Sequence, residues 1–535
     1  MSYIPIDHHD ARYDTVKKGF NLRWPSPGQE AQRILICNQA ADARQAIEFA
    51  LLSGLRPTIR SGGHCYEGFV SNNPGGVIVD IGNLTGIEAN VTESGRRYAF
   101  RVAAGQQNWN AYLNLYKNFG KTIPGGSCYS VGFGGHICGG GYGLLSRLHG
   151  LTVDWLSGVD IVIANGRSAQ PVHANATQHP DLFKLCRGGG GNNAGLITHY
   201  YFDDLPVAPR QVVVLLLQFP WAQFTGANRA RFDDFVTAYG DFLSAADREP
   251  DTYGLFTILK LTHVSAGNIG LVVQYTDRHG GIADLGPLQA FMKAIAPFEK
   301  RLQNAYLPGA GQPFVGTPPG ALAARGLPDH SQAMDWLYAT QTFNSSGNNQ
   351  RGKYKSAYMK HRFTQHELDA LHHHLTDVHK DDPDFAQSLV QIDSYGGAIN
   401  HVSSGNPHFD PARNETAVPQ RRSIMKLQYQ TYWTEPANDA KHLTWMRDLY
   451  YAVYRHDGFN GTPYPDSAAL PGSRYEGCYI NYPDVDMLTG EAPGTPLYRW
   501  GELYYGTLYD ELVSIKHTYD PQHVFHHAMS LGAAP

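Results

Sequence analysis

Apolar and polar positions change period several times along the first two hundred residues. The run Arg33–Cys37 (RILIC) predicts a short strand. Asp42–Leu52 places Ala43, Ala46, Ile47, Ala50 and Leu51 on one helical face, with Asp42 and Gln45 at capping-box spacing and Gly54 placed to stop the helix. Arg56–Arg60, Val77–Ile81 and Tyr98–Ala103 read as strands, and Asn108–Phe119 as a helix with a stripe of Trp109, Tyr112, Leu113 and Tyr116. Val159–Ala164 followed by Asn165-Gly166 is a hairpin signal. A second block starts near Pro206–Pro209. It predicts strands at Val212–Phe219, Phe256–Leu261, Gly270–Tyr275 and Met425–Trp433, and helices at Phe232–Leu243, Leu285–Ile295 and Ala440–Tyr454. The proline- and glycine-rich stretch Leu307–Pro328 reads as a long loop. The pattern is α+β and not a regular βαβ array.

Length and composition narrow the class. A chain of 535 residues exceeds one domain of roughly 100–200 residues. We divide it at 1–207, 208–475 and 476–535, the last segment returning to the glycine- and tyrosine-rich style of the first. Apolar residues at 42% supply a core, and charged residues at 17% are too few for a disordered chain. The formal charge of −5 gives no basic field for nucleic acid or an anionic membrane. Six cysteines without a C-x-x-C pair offer neither a disulfide framework nor a zinc site, so no metal is expected. The longest apolar run, Val212–Leu217, is far too short to span a bilayer. The N-terminus lacks the charged-then-apolar plan of a secretory leader, so the chain as written reads as cytoplasmic, with secretion left open should the N-terminus be trimmed.

Glycine is the outlier: 57 residues, about a tenth of the chain against roughly 7% in an average protein. Familiar glycine motifs fail in detail. Gly120-Lys121-Thr122 would end a P-loop, but Leu115 stands where that loop needs glycine. Gly189-x-Gly191-x-x-Ala194 follows a helix-like DLFKLCR and not a strand. Ser127 in GGSCY misses the nucleophile elbow at Tyr129. His372–His374 contains no H-E-x-x-H and reads as a solvated helix face.

Two segments survive. In PTIRSGGHCYEG a strand ends, Ser61-Gly62-Gly63 turns sharply, and His64 is presented with Arg60 alongside, a plan suited to an anion-binding nest. In Pro124–Gly143, nine of twenty residues are glycine, so the segment cannot build a core and must wrap something at backbone range. A dinucleotide with its pyrophosphate is the natural candidate, and an elaborate turn is the alternative.

These segments, R-S-G-G-H and G-x-C-x-x-V-G-x-G-G-H-x-x-G-G-G-Y-G, resemble the FAD domain of the vanillyl-alcohol oxidase/p-cresol methylhydroxylase superfamily, and more narrowly the berberine-bridge-enzyme-like oxidases. A C-terminal signature agrees: Tyr479-Ile480-Asn481-Tyr482-Pro483-Asp484, then Trp500-Gly501, Tyr504-Tyr505-Gly506 and Asp520-Pro521-x-x-Val524-Phe525. The resemblance covers roughly residues 30–206 and 423–531. It implies a two-part FAD-binding domain and a substrate domain whose antiparallel sheet is covered by helices.

It also implies roles. His64 and Cys128 match the two positions that bind FAD covalently, at the 8α-methyl and at ring carbon six. Arg60, Ser61, Gly62, Gly63, Gly126, Ser127, Val131, Gly132, Gly135, His136, Gly140, Gly141, Val162, Tyr479 and Asn481 fall in the cofactor cradle. Tyr482 matches the catalytic tyrosine, with Tyr142 as a second active-site tyrosine and Lys426 and Gln428 on the facing strand. A phenol with a pKa near 10 is a poor base at neutral pH, and a nearby cation is expected to depress it. The small Val131 is associated in this family with reoxidation by O2, which favours an oxidase producing hydrogen peroxide. The leading expectation is oxidation of a sugar, oligosaccharide or glycosylated natural product. Oxidative cyclisation or dehydrogenation of an alkaloid, polyketide or terpenoid-phenol is the alternative, and the glutamine at 428, where alkaloid cyclases have glutamate, weighs against it. A flavin-retaining binding protein without turnover is disfavoured by the joint presence of Lys426, Tyr482 and Tyr142. Gln428 and Tyr482 are farther apart than in plant-type members; we assign the extra chain to Arg455–Glu476 and expect it near the substrate mouth.

Overall fold

The computed structural model describes residues 3–302, 327–328, 331–343, 349–410, 413, 415–489 and 499–532. Three sheets carry the architecture. The first has strand order β1-β2-β4-β3, from Ile4–Asp7 (β1), Arg33–Ile36 (β2), Pro57–Arg60 (β3) and Val77–Asp80 (β4). Its β2, β3 and β4 are parallel and β1 adds an antiparallel edge. The second is antiparallel, order β5-β6-β9-β7-β8, from Ile87–Glu93 (β5), Arg96–Ala103 (β6), Leu156–Asn165 (β7), Ser168–Asn175 (β8) and Leu196–Phe202 (β9).

The third sheet has eight antiparallel strands. Gln211–Pro220 (β10), Leu255–Thr262 (β11), Asn268–Tyr275 (β12), Arg301–Leu302 (β13), Gln332–Asp335 (β14), Arg351–Met359 (β15), Leu389–Ser394 (β16) and Met425–Trp433 (β17) take the order β13-β10-β12-β11-β16-β17-β15, with β14 on β10. Alternation divides its residues between two faces. One face carries Leu259, Ile392 and Leu427 in register, all fully buried, and helices cover it: the Tyr239 hydroxyl of Arg229–Ala246 donates to the Ile392 carbonyl, and Tyr454 of Asp439–Tyr454 bonds Tyr429. The other face is polar and turns toward the first 207 residues. The architecture is therefore mixed α+β, with helices over one side of an antiparallel sheet.

The last described helices return to the beginning of the chain. Tyr505 donates to the Gly189 carbonyl, and Lys516 donates to the Asn193 and Phe525 carbonyls while pairing with Asp520 at 2.7 Å. The edge of β15 is covered by residues 474–479: Tyr358 N–H donates to Gly477, and Glu476 N–H to Tyr358.

Local expectations meet several differences. The first long helix is Ala40–Ser53, and Asp42 is its third residue: its carboxylate accepts from the N–H groups of Asn38 and Gln39, so the capping box begins at Gln39 and not at Asp42. Gly54 does end it, at φ +66. Asn108–Phe119 is helical, but it buries Asn108, Ala111, Tyr112 and Leu115, leaving Trp109, Leu113 and Tyr116 half-buried. The Asn108 amide, bonded to the Gly126 and Cys128 carbonyls, turns that face inward. His372 is buried and bonded to the Phe224 carbonyl, whereas His373 is exposed, so the histidine run is not a uniformly solvated face. Leu307–Pro328 lies, but for Leu327 and Pro328, outside the described residues. Arg455–Glu476 makes contacts on the helix side, through Tyr464 to Glu502 and Tyr475 to Glu367. Among the described residues no helix is long and apolar enough to cross a membrane, and no cluster of ligating side chains could hold a metal ion.

Burial holds the imidazoles of His136, His149 and His442 down to about 4. Unfolded histidines titrate near about 6.5, so between these values the unfolded chain binds more protons. The stabilisation is complete above that upper value and is lost as pH falls through the window. A melting temperature that declines from about pH 6.5 toward about pH 4 is expected by calorimetry; a flat profile there would contradict neutral burial.

Candidate active site

The two glycine segments meet at backbone range. A Cβ on Gly62 would stand 2.3 Å from the Gly132 nitrogen, and one on Gly132 would stand 2.1 Å from the Ser61 hydroxyl oxygen. Ser61 itself donates to the Ala104 carbonyl at 2.8 Å. This contact brings His64 to the cysteine loop: its Nε2 lies 2.8 Å from the Ser130 hydroxyl, two residues beyond Cys128, and its ring stacks on Phe20 at 4.3 Å. Burial lowers the His64 imidazole to about 4, leaving it neutral, and raises the Cys128 thiol to about 11, with the Lys260 charge opposing the rise.

The rest of the cradle is equally tight. A Cβ on Gly143 would overlap the Gly125 carbonyl oxygen at 1.7 Å. Gly126 N–H donates to His136 Nε2 at 3.0 Å, which requires the neutral imidazole that burial enforces. Gly140 and Gly141 have φ of +131° and +73°, and Asn481 donates to the His136 carbonyl across Gly139. Val131 is half-buried beside Cys128, accepting from Asn108 N–H, and Val162 is buried on β7. Arg60 is committed elsewhere: it pairs with Asp80 at 2.6 Å and donates to the Lys18 carbonyl.

These residues fit a dinucleotide. Two glycine turns leave no room for side chains between them, whereas Gly135 has nothing within 4 Å of its Cβ position. The Asn192 side-chain Oδ1, in the turn after Gly191, is buried without a donor among the described residues. Both features suit a ligand approached by main chain and small polar groups.

Above the glycines lies the polar face of the third sheet. Lys426 is fully buried, with its ammonium 3.3 Å from Asp393. It sits over three tyrosine rings, at 4.2 Å from the Tyr482 centroid, 4.7 Å from Tyr142 and 5.1 Å from Tyr479. Burial lowers the Lys426 ammonium's pKa, and Asp393 pulls it back. Gln428 donates to the Tyr66 hydroxyl at 2.7 Å. Tyr66 in turn stacks on Tyr354 at 3.5 Å and on Tyr482 at 5.3 Å. Tyr142 donates its hydroxyl proton to the Ser394 carbonyl at 2.7 Å. Tyr479 is raised to about 12 by burial.

The expected depression of Tyr482 is not observed. Burial, followed by the charge of Asp393, pushes its phenol well above the ordinary value. The reason is geometric: the Lys426 ammonium lies over the ring and is paired with Asp393. The chain motifs led to the tyrosines but missed Asp393, Tyr66, Tyr354 and Lys260. An acid inside the apolar strand LVQIDS and a tyrosine two positions after His64 were the available signals.

Comparison with known proteins agrees with this geometry. Residues 31–169 match the family described as FAD binding domain, and residues 478–532 the family described as berberine and berberine like. Hexose oxidase from Chondrus crispus is 36% identical over 552 residues, covering 98% of this chain and 94% of the relative. The chain belongs to the berberine-bridge-enzyme-like FAD-linked oxidases. Aclacinomycin-N/aclacinomycin-A oxidase from Streptomyces galilaeus is 31% identical, covering 99% of this chain and 89% of its own. Among solved structures, the glycopeptide hexose oxidase DBV29 complexed with teicoplanin superposes with a TM-score of 0.80 at 29% identity, covering 100% of this chain and 99% of that one. The chain is an FAD-dependent oxidoreductase acting on CH–OH groups, with the p-cresol methylhydroxylase type of architecture.

The close glycine packing is open to test. Gly143→Ala is expected to lower the urea midpoint by the equivalent of about 1–3 kcal/mol, the usual cost of overpacking; an unchanged midpoint would contradict the contact with Gly125.

Proposed function

We propose that this enzyme is an oxidase that holds FAD through His64 and Cys128 and removes hydride from a hydroxyl-bearing carbon of a sugar or a glycosylated compound. The observation that carries the sugar reading is the polar wall of the third sheet. Lys260, Gln391 and Gln428 lie in register across β11, β16 and β17, and Gln430 Nε2 donates to the side-chain Oε1 of Gln391 at 3.3 Å. Amides offer donors and acceptors together, which suits a ligand dense in hydroxyls.

Bound FAD would supply the hydride acceptor and pass electrons to O2, giving H2O2. The neutral His64 imidazole, one nitrogen of which bonds the Ser130 hydroxyl, carries a ring-nitrogen lone pair that can bond carbon, and the nearby positive charge of Lys260 favours the Cys128 thiolate that the second bond needs. Ser61, Gly62, Gly63, Gly126, Ser127, Gly132, Gly135, His136, Gly140, Gly141, Val162 and Asn481 form the cradle, and small Val131 leaves space for oxygen. Tyr482 takes the substrate hydroxyl proton as its own moves toward Asp393; burial first, and then the Asp393 charge, hold the resting phenol neutral. Asp393 is kept ready by Gln391 Nε2 at 2.8 Å and by Lys426. Tyr142 and Gln428 orient the site, Gln428 by fixing Tyr66.

The second reading is dehydrogenation or cyclisation of an alkaloid, polyketide or terpenoid-phenol. The stacked rings of Tyr354, Tyr66 and Tyr482, which suit a planar aromatic ligand, favour it.

Tyr482→Phe and Asp393→Asn are each expected to stay yellow while a hexose bleaches the flavin at least about a hundredfold more slowly in stopped flow. A normal rate in either variant removes that residue from the proton path. Cys128→Ala should keep flavin on the acid-precipitated chain through His64, and complete release would contradict attachment at both residues.

A further inference from the structure

Behind the tyrosine stack lies a buried ion cluster that the proton path does not use. Lys353 Nζ is 2.9 Å from Glu67, 2.5 Å from Asp484 and 3.4 Å from Asp486. Lys355 Nζ is 2.5 Å from Asp484 and 3.0 Å from Asp486. Arg447 closes it on the outside at 2.7 Å from Asp486. The side chains of Lys353, Lys355, Glu67 and Asp484 are 1–3% exposed. Three acids meet three bases, so the cluster is electrically balanced. Removing one partner would strand a charge away from water.

Its connectivity matches that of the aromatic stack. Tyr354 lies between Lys353 and Lys355 on β15, and strand alternation sends its ring to the opposite face from theirs. Glu67 directly follows Tyr66, and Asp484 follows Tyr482 by two residues. Each of the three stacked rings is therefore tied by a chain neighbour to Lys353, and those of Tyr354 and Tyr482 to Lys355 as well. The rings come from three distant segments: the loop after His64, the edge strand of the third sheet, and the C-terminal return. Stacking alone is a weak constraint on where aromatic rings sit. A cluster of short ion pairs fixes the three backbones against one another.

We propose that the Lys353–Lys355–Glu67–Asp484–Asp486 cluster is a positioning device that sets Tyr66 and Tyr482 in their reactive places. It joins the FAD-binding part and the substrate sheet at the point where the proton path begins. These residues touch neither reacting atom; they act through the backbones of the tyrosines. The assignment rests on the reading of Tyr482 given above.

Lys353→Met, made in the full flavin-bearing protein, tests it. The anaerobic bleaching rate with a hexose is expected to fall about a hundredfold, the scale of an ångström-sized misplacement, with KM nearly unchanged. The near-ultraviolet circular dichroism of the coupled tyrosines is expected to weaken with it. Should Lys353→Met not fold, the half-buried Asp486→Asn is expected to show both changes in smaller measure. Arg351→Met serves as the control, because Arg351 lies on the same strand but pairs with Asp439 away from the cluster. It is expected to lower the melting temperature without either change. Unaltered dichroism and bleaching in the cluster variant, or an equal slowing in Arg351→Met, would overturn the proposal. A wild-type protein that no sugar bleaches fails the functional reading instead, and the dichroism alone then decides the positioning role.

Discussion

A lysine ammonium buried with a single carboxylate among aromatic rings is an expensive thing to fold, and the site depends on it. Lys426 and Asp393 leave water together, several kcal/mol per ion before their attraction is counted. The offset comes from their 3.3 Å contact and from the rings of Tyr142, Tyr479 and Tyr482 around the ammonium. Those rings come from the glycine loop and the C-terminal segment, while the ion pair comes from β16 and β17. Neither part of the chain can satisfy the buried charges alone. The pair therefore works as a lock between the parts, and it fixes a negative charge that acts on the Tyr482 phenol.

The glycine segments impose the complementary constraint. Because Gly62 meets Gly132 and Gly143 meets Gly125 at distances no side chain permits, the loops bearing His64 and Cys128 have one way to pack. That arrangement leaves His64 and Cys128 uncharged at rest, the imidazole by lowering and the thiol by raising. Lys260, on the polar face of the sheet, opposes the rise at the thiol.

Much of this was legible in the sequence, and the gaps have physical reasons. Strand β17 and the helix Asn108–Phe119 announced themselves by period, and β7 and β10 as apolar runs that the structure buries. Glycines in excess marked a segment packed at backbone range, and that segment lies within the match to the FAD binding domain. β15 was missed: RGKYKSAYM reads as polar, yet its lysines are buried, neutralised by acids far away in sequence. Asp393 was missed for the same reason, as its partner lies on the neighbouring strand. The error about Tyr482 was one of geometry. A lysine near a tyrosine was readable, but whether it faces the oxygen or the ring, and what else it pairs with, is decided by tertiary packing.

The substrate choice turns on whether the amide-lined wall or the stacked tyrosines meet the ligand first. Mixing the purified protein anaerobically with lactose, and separately with cello-oligosaccharides, while following the visible flavin band, tests the central claim most directly. Bleaching that reverses when air is admitted is expected, and it would establish sugar oxidation and oxygen reactivity together. A protein that stays yellow with every sugar would contradict the sugar reading, and a colourless protein would contradict the flavin site itself.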